Sequence, residues 1–417
     1  MDLNRRQFLK TGVAGLSALA LGPIPKARAW MRLAWGGNGR STVIINLAGG
    51  YDGLNIVVPH TVAEYYTRRP TIAVPAVSTL PVSPTEGFNP AFGELHTHWL
   101  AGRMNVIRQV GYPTPDLSHF NSTDIWSTGS RLGYSAATRS GWMSRMAVLN
   151  GFTDAIEIVG IGTGNRLDFT GTTFKPAVFT SLAAFNYPVD AAFTADSNLR
   201  NQIHRTGLQT PLLLTDGSLE KKIHDKYQST SALIDIIRNA IQTYPALVTY
   251  PNTSLGRTLQ DVARLMYANL GTKIFYVQQG GFDHHAAEGT ALPNLLTQVS
   301  QAVDAFIRDL IAMNLYDRVT TLMLSEFGRR NYENASFGTD HGHGNHMFGI
   351  GAGVRAGMKG QEVRSIDVQA DYLSSKLDFR IPLKDLMEQW LGLNMQGIFT
   401  ELSPGSSEET GSAFFHG

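Results

Sequence analysis

The sequence predicts an α/β fold built on a parallel sheet, and three observations carry that prediction. Residues 42–47, Thr-Val-Ile-Ile-Asn-Leu, form a near-continuous apolar run of the kind found in a strand buried on both faces. Two further short apolar runs, 274–277 and 319–324, bracket a segment in which Val299, Val303, Phe306, Leu310 and Met313 recur at helical spacing. Strand, amphipathic helix, strand is a βαβ unit, whose strands run parallel through a right-handed crossover. The third observation is where the polar residues fall. Gly49-Gly50-Tyr51-Asp52-Gly53 follows the first run, Asp283, His284 and His285 follow the second, and Glu326 and Arg329 follow the third. Open parallel sheets bind ligands outside the carboxyl ends of their strands, so all three groups are expected on one edge.

The other elements follow from the same patterns. Residues 104–110 read as a second central strand and 156–161 as a further strand. Helices are expected over 92–100, 119–127 and 257–270, with a last helix over 383–391. Residues 219–241 contain one or two helices, within a stretch, 151–255, expected to cover or shape a site. With 417 residues and 43% hydrophobic content the chain can bury a full core, and residues 30–402 are expected to form one domain. The Gly/Ser-rich residues 403–417 are expected to be a flexible tail.

The amino terminus carries an address. Arg5-Arg6-Gln7-Phe8-Leu9-Lys10 is a twin-arginine pattern, residues 11–22 are weakly apolar, and Ala27-Arg28-Ala29 is a cleavage site. The expectation is a signal peptide over 1–29, recognised by the twin-arginine export machinery and removed after Ala29, giving a periplasmic or secreted protein. The apolar run is too short to span a bilayer. Removing five Lys/Arg and one Asp leaves 30 basic and 33 acidic residues, so the net charge moves from +1 to −3, which argues against a nucleic-acid partner. The chain has no cysteine, which excludes a lipid-modified Cys anchor, disulfides and thiolate metal ligands. No stable membrane anchor is expected.

Histidine and carboxylate gather late in the chain. Asp340, His341 and His343 sit between glycines, and His346 enters a further apolar run. One His in a glycine loop is more commonly a turn or surface residue; four of the chain's 12 histidines beside acidic residues at strand ends point to a metal. The expected ligands are Asp52, Asp283, His285, Glu326, Asp340, His341 and His343. Mixed imidazole and carboxylate suits zinc, manganese or iron. Upstream, Ser118 stands where a helix N-cap belongs. It reads either as that cap or as a nucleophilic hydroxyl in the positive field of a helix start, with His119 as competitor for a role there.

Assembled, these motifs resemble a bacterial family known only as domain of unknown function 1501. The residues that carry the resemblance are the twin-arginine start, the 47–54 stretch around Asp52, Ser118-His119-Phe120 with Asp124-Ile125-Trp126, Gly281-Phe282-Asp283-His284-His285, Ser325-Glu326-Phe327-Gly328-Arg329 and Gly338-Thr339-Asp340-His341-Gly342. That family is grouped with the alkaline phosphatase and sulfatase superfamily. The resemblance therefore implies a three-layer α/β sandwich with a mostly parallel, doubly wound central sheet, alkaline phosphatase-like. It also implies Asp52 as the first metal aspartate, Asp283 with His285 and Asp340 with His341 and His343 as later ligands, and Ser118 or His119 at the nucleophile position. Gln279 stands nearest to the place where phosphatases carry a ligating glutamate.

The function expected from this is an exported metal-dependent hydrolase of phosphate or sulfate esters, acting on a small anionic substrate. One or two divalent ions are expected, zinc first, with manganese or calcium as alternatives. Ser118 would attack and Arg329 would clamp the non-bridging oxygens. The alternatives are a non-catalytic periplasmic binding or assembly protein that keeps the fold and a metal site, and a metal-dependent isomerase or phosphotransferase, since one fold hosts many chemistries.

Overall fold

The computed structural model describes residues 39–114, 116–133, 135, 139–164, 166–184, 218–399 and 414–417. The twin-arginine segment, its cleavage site and residues 403–413 lie outside the described residues. The strands are β1 (Ser41–Leu47), β2 (Val57–Val58), β3 (Leu80–Pro81), β4 (Gly87–Phe88), β5 (Met104–Gly111), β6 (Ile158–Ile161), β7 (Ala177–Phe179), β8 (Ile274–Gln279), β9 (Val319–Leu324), β10 (Asn345–Gly351), β11 (Gly357–Lys359) and β12 (Leu377–Asp378). The longer helices are α1 (Gly93–Leu100), α2 (His119–Thr128), α3 (Trp142–Leu149), α4 (Leu219–Thr243), α5 (Ser254–Ala268) and α6 (Glu288–Ala312); α7 (Arg380–Asp385) continues as a π-helical turn over Leu386–Trp390.

A nine-stranded sheet runs in the order β11-β5-β10-β9-β1-β8-β6-β7, with β12 also paired to β5. β1 lies between β8 and β9 and is parallel to both. The two strands of the predicted βαβ unit therefore flank β1 instead of each other. β10 alone runs against its neighbours β5 and β9, so β5 points the same way as β1. The sheet is mostly parallel.

Side-chain alternation explains the layers. On β1, Val43, Ile45 and Leu47 join one core while Ile44 joins the other; on β8, Phe275 and Val277 face opposite to Ile274 and Tyr276. The first core is closed by α1, α5 and α6, through Leu95, Leu259, Val262, Val299, Val303 and Phe306. The second is closed by α2, α3 and the last helix, through Trp126, Trp142, Met146, Leu383 and Trp390. Helices on both faces of one sheet make a three-layer α/β sandwich. Phe414 and Phe415 are buried in the second core, and their backbone N–H groups bond Asp385, so this end of the expected tail is anchored.

Register puts three strand ends level. Leu47 pairs with Gln279, and Asn46 with Leu324. The segments that follow β1, β8 and β9 therefore leave the sheet side by side at its carboxyl edge. The loop after β1 turns through Gly49 and Gly50 at φ +117° and +64°. A Cβ on Gly49 would stand 2.6 Å from the Asp283 backbone nitrogen, so only glycine lets the two loops touch.

Candidate metal centre

Three imidazoles converge on one carboxylate at this edge. His119 is the first residue of α2, reached from β5; Asp283 and His285 follow β8; His341 lies between β9 and β10. One ligand atom each from His119, Asp283 and His341 lies within 4.8 Å of the others. Asp283 Oδ1 is 3.0 Å from His285 Nε2 and 3.2 Å from His341 Nε2, and Asp283 Oδ2 is 3.4 Å from His119 Nε2.

The outer partners fix the tautomers. His119 Nδ1 lies 2.8 Å from Glu326 Oε1, His285 Nδ1 2.9 Å from Asp340 Oδ1, and His341 Nδ1 2.7 Å from the Leu117 carbonyl. These oxygens accept, so each Nδ1 donates its proton outward and each neutral ring keeps its Nε2 lone pair for the centre. His285 and His341 set those lone pairs 3.0 Å apart. Two lone pairs at that distance repel unless a cation or a shared proton stands between them. His119 Nε2 is buried without a hydrogen-bond partner. An orphaned buried lone pair, two opposed lone pairs and a carboxylate form a donor set that fits a divalent cation, with the outward hydrogen bonds that hold ligating histidines in place.

The electrostatics agree. Burial opposes ionisation of Asp283, but the Arg329 hydrogen bond and charge outweigh it and hold the carboxyl at about 2. Glu326 is buried too, yet its bond from His119 keeps it below the usual carboxylate range. The same contact raises His119, so a bound cation must displace a proton there, whereas burial lowers His341 and favours its neutral, ligating form. His285 pulls Asp340 down.

The remaining expected residues lie elsewhere or act differently. Arg329 is 3% exposed. It donates to the carbonyls of Gly50, Thr339, Gly49 and Phe282 and to Asp283 Oδ1. Its guanidinium ties three loops together and orients Asp283, so it presents no free edge to clamp a substrate. Glu326 faces the Gly49 N–H, Ser325 and His119, behind the ligand histidine. Asp340 likewise supports His285. His343 donates Nε2–H to the Tyr112 carbonyl at 2.6 Å, pointing away from the cluster.

Asp52 is not among the residues brought together. Its carboxylate is paired with Arg69, through Nη1 and, at 3.1 Å, Nη2; both side chains are nearly inaccessible. Glu288 adjoins it, accepting from Asn55 Nδ2 at 3.2 Å and Thr339 Oγ1 at 2.6 Å. Burial would raise Asp52, but Arg69 overrides it and keeps the group ionised. Burial and the Asp52 charge push Glu288 well above the usual range, so Glu288 holds the proton. Sequence reasoning missed Arg69 and Glu288, because their partners lie 17 and 233 residues away along the chain.

Ser118 occupies the N-cap position of α2, but its hydroxyl makes no capping bond. Its backbone N–H donates to Asp116 Oδ1 at 2.8 Å. Its neighbours on both sides touch the cluster, Leu117 through His341 and His119 directly. Ser122, one turn on, is engaged with Tyr112 Oη at 2.8 Å and the Asp116 carbonyl at 2.7 Å.

The family model described as protein of unknown function (DUF1501) matches residues 89–371, a span that includes every residue of this cluster. The chain belongs to that family. No curated protein matches it. Solved structures similar to it include the PsFucS1 sulfatase from Pseudoalteromonas sp., at 10% identity and TM-score 0.36, covering 95% of this chain and 75% of that one. Another is a protein in the alkaline phosphatase superfamily from Vibrio parahaemolyticus, at 12% identity and TM-score 0.34, covering 80% and 65%. A third is the alkaline phosphatase from the Antarctic bacterium TAB5, at 10% identity and TM-score 0.31, covering 79% and 96%.

Proposed function

We propose that this chain is an exported metal-dependent hydrolase of phosphate or sulfate esters. The observation that carries the reading is the convergence of the His119, His285 and His341 Nε2 atoms on Asp283, each ring held from behind by Glu326, Asp340 or the Leu117 carbonyl. Those four residues would hold the ion. When bound, a divalent cation supplies Lewis-acid stabilisation of the ester oxygens.

The chain's own groups supply the rest. The first N–H groups of α2 face outward at its start and favour an anion there. Ser118 Oγ, which makes no capping bond at that start, attacks the phosphorus or sulfur; the alcohol departs, and water releases phosphate or sulfate from the serine. Arg329 keeps Asp283 aimed and ionised. A metal-holding protein without turnover is the second reading, favoured by the full burial of the Arg329 side chain.

Turnover of 4-nitrophenyl phosphate and 4-nitrophenyl sulfate by protein loaded with Zn²⁺, Mn²⁺ or Ca²⁺ separates the two. Hydrolysis of one ester, lost on chelation and restored by metal, is the expected result; no hydrolysis in any loaded form supports the second reading. Export rests on the ordered twin-arginine, apolar and Ala-x-Ala segments. Changing Arg5 and Arg6 to Lys should trap the precursor in the cytoplasm, and periplasmic accumulation of that variant contradicts it.

A further inference from the structure

A cavity of about 340 Å³ opens beside the metal-ligand cluster, with Tyr112, Thr114, His343, Tyr372, Ser374 and Lys376 in its lining. None of the four cluster residues lines it, but two chain segments connect the two places. His341 bonds the Leu117 carbonyl and His343, two residues on, bonds the Tyr112 carbonyl, so the segment carrying both histidines lies along the one that leads to Ser118 and His119.

The lining has a definite chemistry. The Tyr112 and Tyr372 rings flank His343 with centroids 5.5 and 6.0 Å away; Tyr112 is buried behind the cavity wall, and the half-buried Tyr372 offers an apolar face. The hydroxyls of Thr114, Tyr372 and Ser374 have no hydrogen-bond partner among the described residues. His343 gives its Nε2 proton to the backbone, which leaves Nδ1 as an acceptor without a partner among the described residues, on a residue only 5% exposed. Asp378 is closed off by Arg380 at 2.8 and 2.6 Å, so its carboxylate is neutralised. Among the described residues the Lys376 ammonium has Asp367 as its one ion-pair partner, 3.8 Å away, and Asp367 is shared with Arg364. One aromatic face, several free hydroxyls, one acceptor and an under-neutralised ammonium fit a polyhydroxylated ring that carries a negative charge. The volume lies within the range of small-molecule sites.

We propose that this cavity binds an anionic sugar of hexose size, which serves as the alcohol part of the ester substrate. Its hydroxyls meet Thr114, Tyr372, Ser374 and His343, its C–H face meets a tyrosine ring, and its acidic substituent meets Lys376. The role as leaving group rests on the hydrolase reading; the binding itself does not.

The test is calorimetric titration of the exported protein, in chelator, with glucose 6-phosphate, glucose 6-sulfate, glucuronate and glucose. The anionic sugars are expected to bind about tenfold or more tightly than glucose, and the three arms tell phosphate, sulfate and carboxylate apart. Tyr372→Ala and Lys376→Met should each weaken the anionic sugars about tenfold, the cost of losing a charge-assisted or buried polar contact. Unchanged melting temperatures establish that the variants fold, and Lys376, on the surface, keeps the test alive if Tyr372→Ala does not. Binding by none of the three anions, or equal binding by wild type and Lys376→Met, overturns the proposal. Because the titrations run in chelator, they report on the cavity even if metal-loaded protein hydrolyses no ester, and ester hydrolysis without sugar binding leaves the hydrolase reading standing alone.

Discussion

Asp52→Asn separates two roles for the aspartate that opens the carboxyl edge. In the structure its carboxylate is the counter-ion of Arg69, whose guanidinium is fully buried and also donates to the Asn331 and Arg330 carbonyls. Asparagine keeps the shape and removes the charge, leaving a cation with no solvent and, as its remaining acidic neighbour, Glu288, which must give up its proton to serve as counter-ion. Removing one member of a buried pair costs about 3–5 kcal/mol, most of it from the stranded charge. The assay is urea unfolding of wild type and variant in chelator, with metal content measured on the loaded proteins. The expected result is a loss of about 3–5 kcal/mol with metal content unchanged, and partial recovery in the Asp52→Asn/Arg69→Met double variant, which removes both charges. If the variant in chelator is as stable as wild type, and the loaded form has lost its metal, Asp52 is a ligand and the ion-pair account is wrong.

Three further outcomes follow. Ser118→Ala should abolish ester turnover while metal content holds and stability moves by no more than about 0.5 kcal/mol, since the hydroxyl makes no capping bond; an active variant moves the nucleophile elsewhere. Glu326→Gln should weaken metal binding about tenfold to a hundredfold in a competition titration, because the charge behind His119 is lost; an unchanged affinity would show that Glu326 does not support a ligand. Glu288 has a raised pKa in the fold, so its stabilisation is full below its ordinary value of 4.5 and is lost as pH rises through the folded-state value. Glutamine mimics the protonated acid without titrating. Glu288→Gln should therefore gain stability relative to wild type as pH rises above about 4.5 in unfolding titrations, and a pH-independent difference would place the proton elsewhere.

The fold was legible where periodicity was strong. Val299, Val303, Phe306 and Leu310 mark the buried face of α6, and the apolar run of β1 alternates between two cores as a central strand must. Strand order was not legible, because nothing local to 274–277 or 319–324 says that β1 lies between them. In the site, Asp283, His285 and His341 stood out because glycines and strand ends announce loops at a functional edge. The sequence assigned residue types well and partners poorly. Arg329 and Glu326 read as site residues, yet whether a side chain faces the ion or stands behind a ligand depends on contacts made across the chain. The Arg69 and Glu288 partners of Asp52 left no local trace for the same reason. Ser118 and Ser122 looked interchangeable on one helix face; Tyr112, arriving from β5, engages Ser122, while the Ser118 hydroxyl makes no capping bond.

X-ray absorption of the zinc-loaded protein tests the central claim most directly, because it reads the ligands themselves. Three imidazole nitrogens and a carboxylate oxygen at about 2.0–2.2 Å are predicted, from His119, His285, His341 and Asp283. One imidazole should be lost in each of His119→Ala, His285→Ala and His341→Ala. A protein that retains no zinc, or a zinc shell with fewer than three imidazoles that those substitutions leave unaltered, would contradict the account.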